Sequence, residues 1–235
     1  MVLAGFIKFC YRNYVRQHRY LLDLVVIVIF SIVFGGFLTT DQLGETLWLV
    51  FPIFGLIMNI STAMLTFFLE KGNTLYFLLS KPGGRKYFFL SKIIVIVSID
   101  LFWVATFALL YGLRFPSVEY FSLLPIRLLL ITITLTLSTV LISIAYTFKP
   151  QFIWLIFGAF IFGNIINKIP LISELAISKA YNVLIVALPA FFELHYLTIT
   201  LDFSGLHLFF LIVAILQIVL VYFLSRQKML RKDFV

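Results

Sequence analysis

Charge is scarce in this sequence: 12% of its 235 residues are Asp, Glu, Lys or Arg, against 63% hydrophobic, and the mean hydropathy is +1.12. A soluble domain keeps about a quarter of its residues charged to wet its surface. The deficit excludes an ordinary water-facing exterior, and 28 Phe could not all hide inside a water-soluble fold. Cysteine is nearly absent as well, since Cys10 alone makes neither an intramolecular disulfide nor a thiolate metal cage. The three histidines, His18, His195 and His207, lack metal-ligand spacing, and no His-Glu-x-x-His helix exists. A Gly-rich phosphate loop followed by Lys and Ser or Thr is missing, which excludes that route to ATP. With no clustered acids, histidines or activated nucleophile, we expect no catalytic site, no metal and no cofactor on this chain.

What remains is a series of apolar runs. A spanning helix needs about 20 mostly apolar residues, at 1.5 Å each through a hydrocarbon core of about 30 Å. Leu21 to Leu38, Thr46 to Leu69, Ile93 to Leu113, Leu128 to Phe148 and Phe203 to Ser225 meet or approach this length. Gln151 to Asn167 is shorter and closes on polar Asn164, Asn167 and Lys168, but we count it as a span. The expected fold is therefore a single all-α transmembrane domain over 1–235 with six transmembrane helices.

Orientation follows from Lys and Arg, which favour the cytoplasmic side. With six spans and a cytoplasmic N-terminus, the cytoplasmic segments hold 14 of the 18 cations, leaving Arg114, Arg127, Lys168 and Lys179 outside. Both termini are thus expected in the cytoplasm of a cell with this chain in its cytoplasmic membrane. The same distribution, cations at the ends of apolar runs rather than in one patch, argues against nucleic acid as the partner of the net +8 charge.

Two segments fall outside the spans. Ala180 to Phe192 is apolar but short, contains Pro189 and is followed by Glu193 and His195; a seventh span here would throw the basic tail outside. We read 171–202 as a partly inserted, re-entrant outer hairpin, with an ordinary outer loop carrying one interfacial helix as the alternative. At the N-terminus, Lys8, Arg12 and Arg16, with Arg19 three further on, share one helical face, while Leu3, Phe6, Ile7, Cys10 and Tyr14 lie largely on another. Residues 1–20 therefore predict a basic amphipathic helix in the headgroup region, and no cleavable signal peptide is expected.

Ionisable residues inside a membrane are costly and carry a functional hypothesis by default. Asp100, about seven residues into the third span, lines a substrate path, pairs with a partner helix, or satisfies a polar neighbour such as Ser98, Thr106, or a Ser or Thr across the bundle. Asp23 is expected near enough to the interface to reach water or Arg19. The Asn59-Ile60-Ser61 glycosylation triplet falls mid-span and carries no meaning as such.

The segment between spans two and three, 70–92, is richer. Gly72-Asn73-Thr74 reads as a helix stop followed by an N-cap, and Thr74 to Leu79 as a short helix with Leu75, Leu78 and Leu79 on one side, ended by Pro82-Gly83-Gly84. Such an element on the cytoplasmic side suits docking to another protein. Here the chain resembles the permease subunits of ABC-2-type (type V exporter-like) transporters. The residues that carry the resemblance are Glu70, Gly72, Thr74, Leu75, Leu78, Leu79, Ser80, Pro82 and Arg85, then Lys92, with Lys71 making the leading edge less acidic than is usual in the family. The N-terminal interfacial helix, six spans and hairpin between spans five and six fit the same family.

The resemblance implies a coupling helix, Thr74 to Pro82, seated on a separately encoded ABC ATPase that binds ATP and Mg; a second permease copy or paralogue; and an outer gate made by the hairpin with Pro189, Glu193 and His195. The Phe-rich spans point to a hydrophobic or amphipathic cargo. The alternatives are an ion-coupled secondary transporter using Asp100, or a scaffold in a membrane complex; six spans that do not resolve into two similar halves argue against an inverted-repeat transporter.

Overall fold

A computed structural model describes residues 2–33, 47–68, 83–174 and 179–231. These residues form ten helices and no strand: α1 Val2–Arg16, α2 Tyr20–Val33, α3 Leu47–Phe68, α4 Gly84–Arg114, α5 Val118–Thr147, α6 Phe152–Ile165, α7 Lys168–Glu174, α8 Lys179–Ala187, α9 Phe191–Thr200 and α10 Gly205–Arg231. Four of them, α3, α4, α5 and α10, are long and apolar enough to cross a membrane, and α2 and α6 are shorter apolar helices. The chain is an all-α membrane protein.

Helices α4 and α5 exceed the apolar runs that predict them. The 31 residues of α4 span about 46 Å, because the helix starts at Gly84 rather than Ile93. Gly83, at φ 71, supplies the left-handed turn that starts it. Helix α5 starts at Val118, where the Ser117 side chain accepts from the Tyr120 N–H, so Arg127 lies well inside a helix. There its guanidinium sits 4.2 Å from the Trp48 ring centre. Pro52 and Pro125 are carried within α3 and α5, as membrane helices packed by neighbours allow.

Helix α5 is the axis of the bundle, packing on α3, α4, α6, α9 and α10. In its most apolar window 61% is buried, against 28% for α10, whose outward face is rich in Leu, Ile and Phe and free of charge over most of its length. We call the end that carries the start of α4 and the close of α10 the basic end; Arg85 Nη1 donates to the Leu230 carbonyl at 2.8 Å there. Near it Phe67, Phe88, Phe89, Tyr146 and Met229 pack together, and α1 lays Phe6, Cys10 and Tyr14 onto α4. Lys8, Arg12 and Arg16 remain exposed on the opposite side of α1, as its spacing predicts, whereas Arg19 lies beyond the end of the helix and is buried rather than part of that face. Towards the far end Phe30, Trp48, Phe51, Phe54, Tyr111 and Tyr120 form a second, aromatic core. Gly112 admits the Tyr120 ring so closely that a Cβ would lie 2.5 Å from it.

Candidate functional site

Polar side chains are few within the bundle, and they are grouped. Asn59 of α3 is a hub. Its Nδ2 donates to Asp100 Oδ2 of α4 at 2.7 Å and to Thr139 Oγ1 of α5 at 2.8 Å, and the Ser138 hydroxyl donates to its Oδ1. The Thr139 proton is itself directed to the Leu135 carbonyl, which leaves the hydroxyl oxygen free to accept from Asn59. One turn further along α3, the Thr62 hydroxyl donates to Asp23 Oδ1 at 3.3 Å, and the Tyr14 hydroxyl donates to Asp23 Oδ2. Asp23, Asn59, Thr62, Asp100, Ser138 and Thr139 are all fully buried. Thr62 also lies against Asp100, but its single proton is turned to Asp23, and Asp100 Oδ1 has no hydrogen-bond donor. This layer ties α1 to α5 together and offers one unfilled acceptor at its centre, chemistry suited to a proton or a donor group.

These positions correct one expectation and narrow another. Asp23 reaches neither water nor Arg19; it is enclosed by Tyr14 and Thr62, because α1 folds back against the start of α4 and closes the interface over it. Asp100 is satisfied by neither Ser98 nor Thr106, whose hydroxyls donate to the Ile94 and Phe102 carbonyls one turn back. Its partner across the bundle is an amide, Asn59.

A second group lies where α6 ends. Lys168 and Glu193 form a fully buried ion pair, Nζ to Oε2 at 2.7 Å. The Lys168 ammonium also donates to the Pro189 carbonyl at 2.8 Å, its backbone N–H donates to Glu193 Oε1 at 2.9 Å, and the Phe210 ring centre lies 5.5 Å from Nζ. Burial pulls the Lys168 pKa below the ordinary lysine value, and the Glu193 carboxylate opposes that pull. Beside the pair, Asn164 Nδ2 donates to the Phe160 carbonyl, so its Oδ1 faces His195 Nε2 at 2.8 Å. Nε2 therefore carries the proton, and His195 Nδ1 is a bare, buried acceptor without a partner. Burial pushes this imidazole down to about 4, which keeps it neutral at pH 7.

Pro189 marks a break between α8 and α9, and its surroundings fix it from three sides. Gly163 of α6 approaches so near that a Cβ would stand 2.8 Å from the Pro189 oxygen. Lys168 donates to that same oxygen. From α10, Gln217 Nε2 donates to the Val186 and Leu188 carbonyls, both at 3.0 Å. On the return to α10, the Ser204 side chain first, and then the Ser204 N–H that donates to Asp202 Oδ1 at 3.0 Å, hold the Asp202 carboxyl below the usual range. The His207 ring stacks on Tyr196, 4.7 Å between centres.

Of the residues singled out in the sequence, Pro189 and Glu193 meet through Lys168, His195 pairs separately with Asn164, and Asp100 lies in the other layer. Arg85 is at the basic end. Glu70, Gly72, Thr74, Leu75, Leu78, Leu79, Ser80 and Pro82 lie outside the described residues. Just beyond them, Lys92 is fully buried, donates to the Thr66 carbonyl at 2.9 Å and lies over the Phe88 and Tyr146 rings. Sequence reasoning missed Asn59, Lys168 and Gln217. Among the described residues, no group of three or more His, Cys, Asp and Glu is placed to hold a metal ion.

Fold and sites together define a multi-pass helical membrane protein with a buried polar layer and a broken, ion-paired segment before its last helix. No protein-family model, curated protein or solved structure matches the chain.

Proposed function

We propose that the chain is the membrane-spanning permease subunit of an ATP-driven exporter of the ABC-2 type, working as a dimer with a separate ATPase that binds ATP and Mg. In this reading α2, α3, α4, α5, α6 and α10 are six spans, the basic end and both termini are cytoplasmic, and α1 lies at the membrane surface. The observation that supports it most is the depth of the Pro189 break. Gln217 holds the Val186 and Leu188 carbonyls from a position twelve residues past Gly205, about 18 Å along α10. Helices α8 and α9, of 9 and 10 residues, are each too short to span. In this reading the segment descends half-way, turns and returns as a re-entrant hairpin, and the burial of Pro189 and Ala190 at its break suits non-helical backbone inside a membrane.

The coupling route runs through the basic end. The connection between α3 and α4 joins two helices that Lys92 clamps to each other and to Tyr146 of α5. A push on that loop by a closing ATPase dimer reaches three helices at one point, and a hydrophobic or amphipathic cargo would leave past the hairpin. The test is affinity purification in mild detergent. A stoichiometric P-loop ATPase is expected, and Leu75→Asp with Leu78→Asp should abolish its recovery while leaving membrane insertion intact. A chain that purifies alone overturns the reading.

One observation favours a second reading, an ion-coupled transporter: Asp100 Oδ1 is buried without a donor. There, Asp100→Asn removes transport driven by an ion gradient in ATP-depleted cells; a fully active Asn variant ends that reading.

A further inference from the structure

Helices α5, α8 and α10 enclose a crevice of about 580 Å³ whose walls include Leu141, Val186, Val213 and Leu220. It is the size of a small-molecule pocket, and its rim residues Val183, Leu216 and Leu220 are exposed on the apolar face of the bundle. Two polar side chains interrupt the walls, Asn182 and Gln217. The amide nitrogen of Gln217 is committed to the carbonyls that end α8, which leaves Oε1 as its remaining polar atom. Gln217 Oε1 and Asn182 Oδ1 are both buried, and neither has a hydrogen-bond donor. Two unfilled acceptors in one apolar crevice ask for a ligand that donates.

We propose that this crevice binds a neutral, largely apolar small molecule carrying an O–H or N–H donor, taken up from the hydrocarbon phase. Neutrality follows from the lining, which among the described residues holds no Asp, Glu, Lys or Arg: an ammonium would be buried without a counter-charge, and a carboxylate would face two acceptors. Uptake from the hydrocarbon phase follows from position. Gln217 is close to the midpoint of the 27 residues of α10, too deep for a phospholipid headgroup. The inference does not depend on an ATPase partner.

The probe is a long-chain alcohol bearing a photoactivatable diazirine, compared with its methyl ether of equal length. The chain is held in phosphatidylcholine nanodiscs, a lipid with no O–H or N–H donor of its own. The alcohol should label peptides from α8 and α10 and the ether far less. Asn182→Leu should lower labelling about fivefold, the value of one hydrogen bond. Gln217→Leu should do the same but also frees the end of α8, so Asn182→Leu decides. Equal labelling by alcohol and ether, or an undiminished signal in Asn182→Leu, overturns the proposal. So does an absence of labelling together with copy-to-copy disulfides from Leu216→Cys in a Cys10→Ser background, which would show the crevice covered by a second chain.

Discussion

Removing the carboxylate from the Lys168–Glu193 pair should unfold the far side of the bundle early. The Lys168 ammonium has two acceptors, Glu193 Oε2 at 2.7 Å and the Pro189 oxygen at 2.8 Å, and no exposure to water. After Glu193→Ala only one neutral acceptor remains for a buried charge, and the Lys168 N–H loses its partner. Breaking a buried pair in this way costs about 3–5 kcal/mol. For a chain of this size each kcal/mol moves Tm by about 2–4 °C, so the shift should be roughly 6–20 °C. The companion variant is Lys168→Met with Glu193→Gln. It discards both charges and keeps an acceptor for the backbone N–H at 168. Exchanging a buried pair for neutral groups is close to neutral in other proteins, so the double variant should lie within about 5 °C of the parent. The assay is thermal unfolding in detergent, followed by tryptophan fluorescence and recovery of monodisperse protein. A double variant that loses as much as the sum of its two single substitutions would refute the pairing, because independent residues add and partners do not.

Two further outcomes can be read with modest effort. Gly163→Ala places a Cβ against the backbone oxygen of Pro189 and should cost about 1–3 kcal/mol; Gly158→Ala, which meets open space, should be neutral or slightly stabilising in the same thermal assay. For Asp202 the folded pKa is depressed, so its contribution is present above the ordinary Asp value of about 4 and is lost as pH falls through the lower folded one. Ser204→Ala should return the Asp202 titration midpoint, followed by carboxyl NMR, towards the ordinary value, and an unmoved midpoint would refute the role given to Ser204.

Hydropathy located the long helices well where water and lipid dictate them: the run Thr46 to Leu69 became α3, Leu47–Phe68, and Phe203 to Ser225 lies within two residues of the start of α10. It misjudged the starts of α4 and α5, because a helix does not stop where hydrocarbon stops, and Gly83 and Ser117 rather than apolarity set those ends. It could not pair Lys168 with Glu193, 25 residues apart on different helices, since each reads locally as a lone charge. Asn59 is uncharged and vanishes in an apolar run. A depth count would have found its layer: Asn59 lies seven residues from Thr66, Asp100 eight from Lys92, and Thr139 seven from Tyr146, and those three reference residues meet at the basic end. Gln217 gave no signal at all, because its role depends on the carbonyls that the Pro189 break exposes.

The contact between Tyr14 and Asp23 bears on the order in which the chain is made. Asp23 stands at the head of the first apolar helix, and a carboxyl there burdens membrane insertion. Thr62, its other partner, is synthesised 39 residues later, and the Asp100 layer later still. Tyr14 precedes Asp23 by only 9 residues and joins it through the sharp turn at His18, where φ is 53. A nascent chain can therefore quench this buried acid with a hydroxyl made shortly before it, while α3 and α4 are still to be synthesised.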